Sequence, residues 1–262
     1  MIRKFSAALI LLSLFAFAAP GEGKDKVEPY LRAKDLPDAM IFLPSPPEPG
    51  SMEFVLDEAR HKWGKSLRDT PRGVRAIREA TTDPDTMALM FSEAFGRELS
   101  REATPNTMRL IDRSIKTFRA AAALPKQRYM RKRPYVYYEE GTLISEHETY
   151  LRYTGSYPSG HTVRGWGMAL LLSTLNPERR NELLLAGYEW GQSRVIAGYH
   201  WQSDVDAARL LVSATYAVML SCPEFVKDLE LARQELFGTA SEARNDNITD
   251  LSCKISTTPA FN

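Results

Sequence analysis

From Ser51 onward apolar residues recur every three or four positions, and the alternation of a half-buried strand is scarce. Met52, Val55, Leu56, Ala59 and Trp63 predict one helix face, Met87, Met90, Phe91 and Phe95 a second, and Met108, Ile111, Ile115 and Phe118 a third. Punctuation is clearer in the second half. A helix is predicted from about Thr162 to Thr174, stopped by Asn176-Pro177, and another from Glu178 to about Val195, ending near Gly198. A third follows from His200, where Val205, Ala208, Leu211, Val212, Ala214 and Val218 form the wide stripe of a buried bundle helix. The pattern predicts an all-α fold, a single compact helical bundle domain with polar clusters gathered at helix ends.

The chain before Ser51 departs from this pattern. Arg3 and Lys4 precede an apolar run from Phe5 to Phe17, with small residues at Ala16, Ala18 and Ala19, so 1–18 reads as a secretory signal peptide cleaved after Ala18. The run is shorter than the roughly 18 to 20 apolar residues a spanning helix needs, and no stable membrane insertion is expected. Residues 19–38 are charged and aperiodic and predict an exposed N-terminal arm. Leu43 to Gly50 carries four prolines and forces an extended passage. It is either a linker or, given its apolar flanks Met40, Ile41, Phe42, Phe54 and Val55, a segment fixed against the body. The domain is expected to span 39–237 and a C-terminal tail 238–262.

Export bears on the two cysteines, Cys222 and Cys253, which an oxidising compartment lets pair. Such a bridge would tie the tail to the body and, on chain entropy, stabilise by about 3 to 4 kcal/mol. Two unpaired thiols are the other reading. Lys and Arg total 34 against 33 Asp and Glu, or 32 against 33 once Arg3 and Lys4 leave with the leader. That balance gives no global attraction to nucleic acid, so no nucleic-acid partner is expected. Arg128, Arg131 and Lys132 are accordingly read as solvated or structural.

The candidate chemistry lies in three separated clusters. Tyr157-Pro158-Ser159-Gly160-His161-Thr162 sits at a predicted helix start, where the Ser159 hydroxyl and the Gly160 amide can face one anion, aided by the helix dipole. Taken alone, this stretch reads better as a plain serine N-cap. Downstream, His200 and Asp204 are four apart on a predicted helix and share one face. The carboxylate can hold one ring nitrogen and leave the other lone pair free to attack phosphorus. Arg194 adds a planar donor fork suited to phosphate oxygens. Lys126 and Arg133, seven apart, lie on one face if their segment is helical, with Pro134 disfavouring its continuation. Each cluster alone is weak evidence; together they specify a phosphate pocket at helix ends.

The pattern K-x6-R-P, then P-S-G-H, then S-R-x5-H-x3-D resembles the signature of the type 2 phosphatidic acid phosphatase superfamily. More narrowly, the stretches Gly155–Thr162 and Gly191–Asp204 and the Pro-rich passage are similar to the bacterial class A non-specific acid phosphatases, over roughly Leu36 to Phe237. The resemblance implies that Lys126, Arg133, Arg194, Ser159 and Gly160 bind the phosphoryl oxygens. It implies that His200 becomes phosphohistidine with Asp204 as its orienting partner, and that His161 protonates the leaving alcohol and later activates water. No metal and no cofactor is then required, since three fixed cations supply the charge stabilisation. The expected substrate is a small-molecule phosphomonoester, the expected location periplasmic with secretion the alternative, and a homodimer or larger homo-oligomer is allowed.

Because His161 must start protonated and His200 with a free lone pair, activity is expected to be bell-shaped in pH. His61 and His147 are read as surface or satisfied structural residues, and Tyr135, Tyr153 and Tyr157 as candidate pocket walls. A vanadate-dependent haloperoxidase, a membrane lipid phosphatase and a non-catalytic phosphate-binding module share parts of the signature. The close class A context, the shortage of spanning segments and the joint presence of His200, Asp204 and His161 weigh against each in turn.

Overall fold

The computed structural model describes residues 27–238, and every described element is helical or irregular. The predicted signal peptide and Cys253 lie outside the described residues. After a short turn, α1 (Ala39–Phe42), come α2 (Met52–Ser66), α3 (Pro71–Arg78), α4 (Pro84–Phe95) and α5 (Pro105–Ala121). The chain continues through α6 (Ala123–Tyr129) and the short α7 (Pro134–Tyr137) and α8 (Glu148–Leu151). It ends with α9 (Gly160–Leu175), α10 (Arg180–Ile196), α11 (Gln202–Met219) and α12 (Pro223–Phe237). The starts follow local chemistry. Ser51, Thr70 and Asp83 accept hydrogen bonds from backbone amides of α2, α3 and α4, and proline opens α3, α4, α5 and α12. Thr104 gives α5 no side-chain cap. Glu235 of α12 serves instead, accepting from the Asn106 and Thr107 amides at 2.8 and 2.9 Å.

The core is built around α9, which packs on α10, α11 and α5. Close approach is made possible by small residues: a Cβ at Gly165 of α9 would lie 2.5 Å from the Trp190 ring of α10. Val163, Met168, Leu172, Leu183, Val205, Ala208, Leu211 and Val212 are all fully buried here. No single helix among the described residues is long and apolar enough to cross a membrane.

Two expectations from the first half are corrected. The stretch predicted as an exposed arm is not free from residue 27 onward: Tyr30 and Leu31 are 7% exposed, and the Tyr30 hydroxyl donates to Asp228 of α12 at 2.7 Å. Arg113 joins that carboxylate at 2.9 Å and lies over the Tyr30 ring, so charged residues here anchor the chain. In α2 the apolar stripe faces outward. Met52, Val55 and Leu56 are at least half exposed, whereas Phe54, Asp57, His61 and Gly64 are buried. The helix lies so close to α10 that a Cβ at Gly64 would meet the Val195 carbonyl at 2.9 Å, and its buried polar groups find partners on other elements, Asp57 on Arg131 and Ser203 and His61 on Glu140. Of the outward stripe Leu56 and Ala59, with Trp63, line a groove of about 750 Å³ together with Pro44, Tyr157 and Tyr188. Of the two readings of the Pro-rich passage, the structure has it fixed against the body: Leu43 is buried and Tyr157 donates to the Pro44 carbonyl.

Candidate active site

The three clusters converge where α9 starts and α10 ends. Helix α10 delivers Arg194, then Gly198 turns the chain with φ +87°, a conformation open to glycine, and His200 follows before α11 begins. His200 is therefore not on the helix with Asp204. Asp204 occupies the first turn of α11, where its Oδ2 accepts from the Trp201 amide at 2.9 Å, and the loop folds His200 Nδ1 back to 3.4 Å from the same oxygen. Ser156 donates to Oδ2 as well, and Arg131 to Oδ1 at 2.7 Å. With Nδ1 turned to the carboxylate, Nε2 carries the lone pair.

Lys126 and Arg133 reach the same place by a different route from the one expected. The segment is not one helix: Met130 is left-handed with φ +41°, ending α6, and Arg133 is extended as the N-cap of α7. Arg133 is buried and fully engaged. Its Nε donates to the Leu151 carbonyl at 3.0 Å, one terminal nitrogen to Thr154 and Gly155, and the other to the Tyr199 carbonyl and toward His200 Nε2 at 3.1 Å. Lys126 Nζ donates to the Gly155 and Pro158 carbonyls at 2.9 and 2.8 Å. Burial first, and then Arg133, pull the Lys126 ammonium down to about 7.

Arg194 differs from both. It is 1% exposed, its plane lies over the Tyr199 ring at 5.0 Å, and its Nε and Nη1 are buried with no hydrogen-bond partner among the described residues. A desolvated guanidinium with two unsatisfied donors calls for an anion. Ser159, the N-cap of α9, accepts from the Thr162 amide and hydroxyl and so keeps its own hydrogen for an acceptor. Gly160 opens α9, where the first-turn amides lack helical partners. A Cβ there would meet only Arg164 Nη1, at 3.6 Å, so protein atoms leave room for an approaching oxyanion.

His161 sits one residue further on. Its Nε2 donates to the Ala80 carbonyl at 2.8 Å, just past the C-terminus of α3, which leaves Nδ1 as the nitrogen able to exchange a proton. Burial, then Arg194, hold its imidazole well below the ordinary histidine range. This differs from the expectation of a protonated starting state. For His200, burial and then Arg133 outweigh Asp204 and pull the ring down to about 3, so Nε2 keeps its lone pair through the acid range. Burial raises Asp204, but Arg131, His200 and Ser156 outweigh it and hold the carboxylate far below its usual range.

All eight predicted site residues thus come together, while the predicted walls do not. Tyr135 and Tyr157 are buried, donating to the Glu148 and Pro44 carbonyls, and Tyr153 is exposed. Tyr150, 60% exposed, lies near Arg133, Arg164 and Arg194. His61 is buried and donates to Glu140 at 2.5 Å, in keeping with a structural role. Sequence reasoning missed Ser156, Arg131, Asp57 and the Ala80 carbonyl. Ser156 stood within the Gly155–Thr162 stretch, and Arg131 was masked by the basic run around it. Nothing in the sequence pointed to Asp57 or to a backbone oxygen. Among the described residues no group of three or more His, Cys, Asp or Glu side chains could hold a metal ion.

The profile of the PAP2 superfamily matches residues 115–227, which contain the eight predicted site residues but not Asp57 or Ala80. A non-specific acid phosphatase of Providencia stuartii is 41% identical over 233 residues, 88% of this chain and 94% of that protein. A non-specific acid phosphatase of Salmonella typhimurium is 36% identical over 214 residues, 81% and 85% of the two chains. An acid phosphatase of Zymomonas mobilis is 31% identical over 231 residues, 88% and 87% of the two.

Proposed function

The chain belongs to the PAP2 superfamily and is an acid phosphatase, and from that premise we propose that it hydrolyses small phosphomonoesters through a phosphohistidine at His200, without a metal. The observation that carries this reading is His200 itself, held between Asp204 on Nδ1 and the cations on the side of Nε2. For attack, Arg133 must exchange its contact with Nε2 for a phosphoryl oxygen. The Nε2 lone pair then forms the P–N bond as the P–O bond to the leaving group breaks. Arg194, Lys126, Arg133, Ser159 and the Gly160 amide take the developing charge on the nonbridging oxygens. His161 Nδ1 gives its proton to the leaving oxygen. In the second half it accepts one from the water that cleaves the P–N bond, releasing phosphate and restoring His200.

The depressed His161 explains how acid enters. A free imidazole in this site is neutral in mild acid, whereas a phosphomonoester dianion takes up a proton to become the monoanion at a pH of about 6, as phosphate groups on proteins do. Substrate arriving as the monoanion brings the proton that His161 relays, which favours an acid working range. Rapid denaturing quench with labelled substrate tests the reading: label on His200 is expected, and label on any other residue rejects it. Export through the predicted leader is part of the proposal, as is a homodimer or larger homo-oligomer; N-terminal sequencing of secreted protein and light scattering test these.

A further inference from the structure

The charge behind His200 is not carried by Asp204 alone. Arg131, with its side chain 8% exposed, donates to Asp204 Oδ1 at 2.7 Å and to Ser203 Oγ at 2.8 Å, and through its other terminal nitrogen to Asp57 Oδ2 at 2.8 Å. Asp57, from α2, is 2% exposed and also accepts from the Ser203 amide at 2.8 Å and the Ser203 hydroxyl at 2.5 Å. Arg131 further lies over the Trp201 ring at 5.3 Å. One guanidinium is thus shared by two buried carboxylates. Paired with Arg131 alone, Asp204 would present His200 with a nearly neutral ion pair. Asp57 leaves the cluster one negative charge in excess.

We propose that Asp57 is a positioning residue for the phosphoryl transfer: the Trp201 amide and Ser156 keep Asp204 in line with His200, Arg131 ties Asp57 to Asp204, and Asp57 restores the net negative charge that the imidazolium of phosphohistidine requires. When Nε2 takes the phosphoryl group the ring becomes cationic with Nδ1–H facing Asp204, and the cluster with its ring becomes neutral overall. From the other side, among the described residues, His200 faces Arg133, Lys126 and His161. Whatever counter-charge the protein supplies to the ring therefore comes from the Asp57–Arg131–Asp204 side. The inference rests on His200 being the nucleophile.

The test is charge compensation in the full chain, with p-nitrophenyl phosphate as substrate and thermal unfolding as the check on folding. Asp57→Asn should lower kcat about tenfold with KM little changed, because the lost charge acts on the ring and not on the bound phosphate. The double variant Asp57→Asn with Arg131→Gln restores the single excess negative charge and should recover most of that loss. A purely structural role predicts the reverse, with the double variant slower than either single one. An unchanged kcat in Asp57→Asn, or a double variant no faster than Asp57→Asn, overturns the proposal. Should Asp57→Asn not fold, Arg131→Gln alone decides: it should raise the pH at which His200 takes up a proton, followed by imidazole NMR, and no rise overturns the proposal. Quench labelling of the wild type separates the two levels, since absence of label on His200 rejects the transfer reading itself and this inference with it.

Discussion

The two histidines of the pocket are both buried, and both have one ring nitrogen tied down, yet they are held by opposite means. His200 is backed by a carboxylate that is itself fixed by three further donors, the Trp201 amide, Ser156 and Arg131. His161 is backed by the neutral Ala80 carbonyl and faces Arg194 and Arg164. An imidazole backed by negative charge can become a cation during the reaction; one backed by a carbonyl among cations resists protonation until an anion is bound. In the proposed mechanism the same residue type therefore serves as nucleophile on one side and as proton relay on the other.

Substitutions should expose that difference. His200→Ala is expected to lower kcat by about 10⁴-fold or more for every substrate, because no group replaces the nucleophile; steady-state kinetics on aryl and alkyl phosphates check this. Arg194→Ala should cost about 10² to 10³-fold in kcat/KM, as loss of a preorganised oxyanion donor does. His161→Asn should cost about 10²-fold on alkyl phosphates and far less on p-nitrophenyl phosphate, whose leaving group needs no proton. Equal losses on both substrates would erase the distinction between the histidines.

A pH series sharpens the cation side. Lys126 is pulled down to about 7, so its charge is present below that pH and lost above it. KM should therefore rise through neutrality, and Lys126→Arg should remove that inflection if it still binds phosphate. The smallest effect lies outside the pocket. Gly165→Ala drives a methyl against Trp190 and should destabilise by about 1 to 3 kcal/mol, read as a lower Tm with kcat preserved in the folded fraction.

The sequence was most informative where local chemistry decides the outcome. Helices α9 and α10 start and stop, and α11 starts, close to the predicted limits because Ser159, Asn176-Pro177 and Gly198 act on their own neighbours. It misled where a distant partner decides. The period of α2 marks Val55 and Leu56 as its inner face, but Asp57 and His61 are the residues that turn inward, because Arg131, Ser203 and Glu140 meet them there. The spacing of Lys126 and Arg133 suggested two turns of one helix, while the chain breaks at Met130 and brings both cations to the pocket from separate elements. Motif spacing identified the residues that the fold brings together in the pocket; it had no means of identifying those that hold them from behind.

The contact between Tyr30 and Asp228 spans 198 residues. A pairing of that separation has no partner to find until almost the whole chain has left the ribosome, and closing so long a loop is entropically unfavourable until the intervening helices have drawn its ends together. The first described turn of the polypeptide is thus among the last to find its place. Helix α12, which brings Asp228 and caps α5 through Glu235, is the piece whose arrival completes the domain.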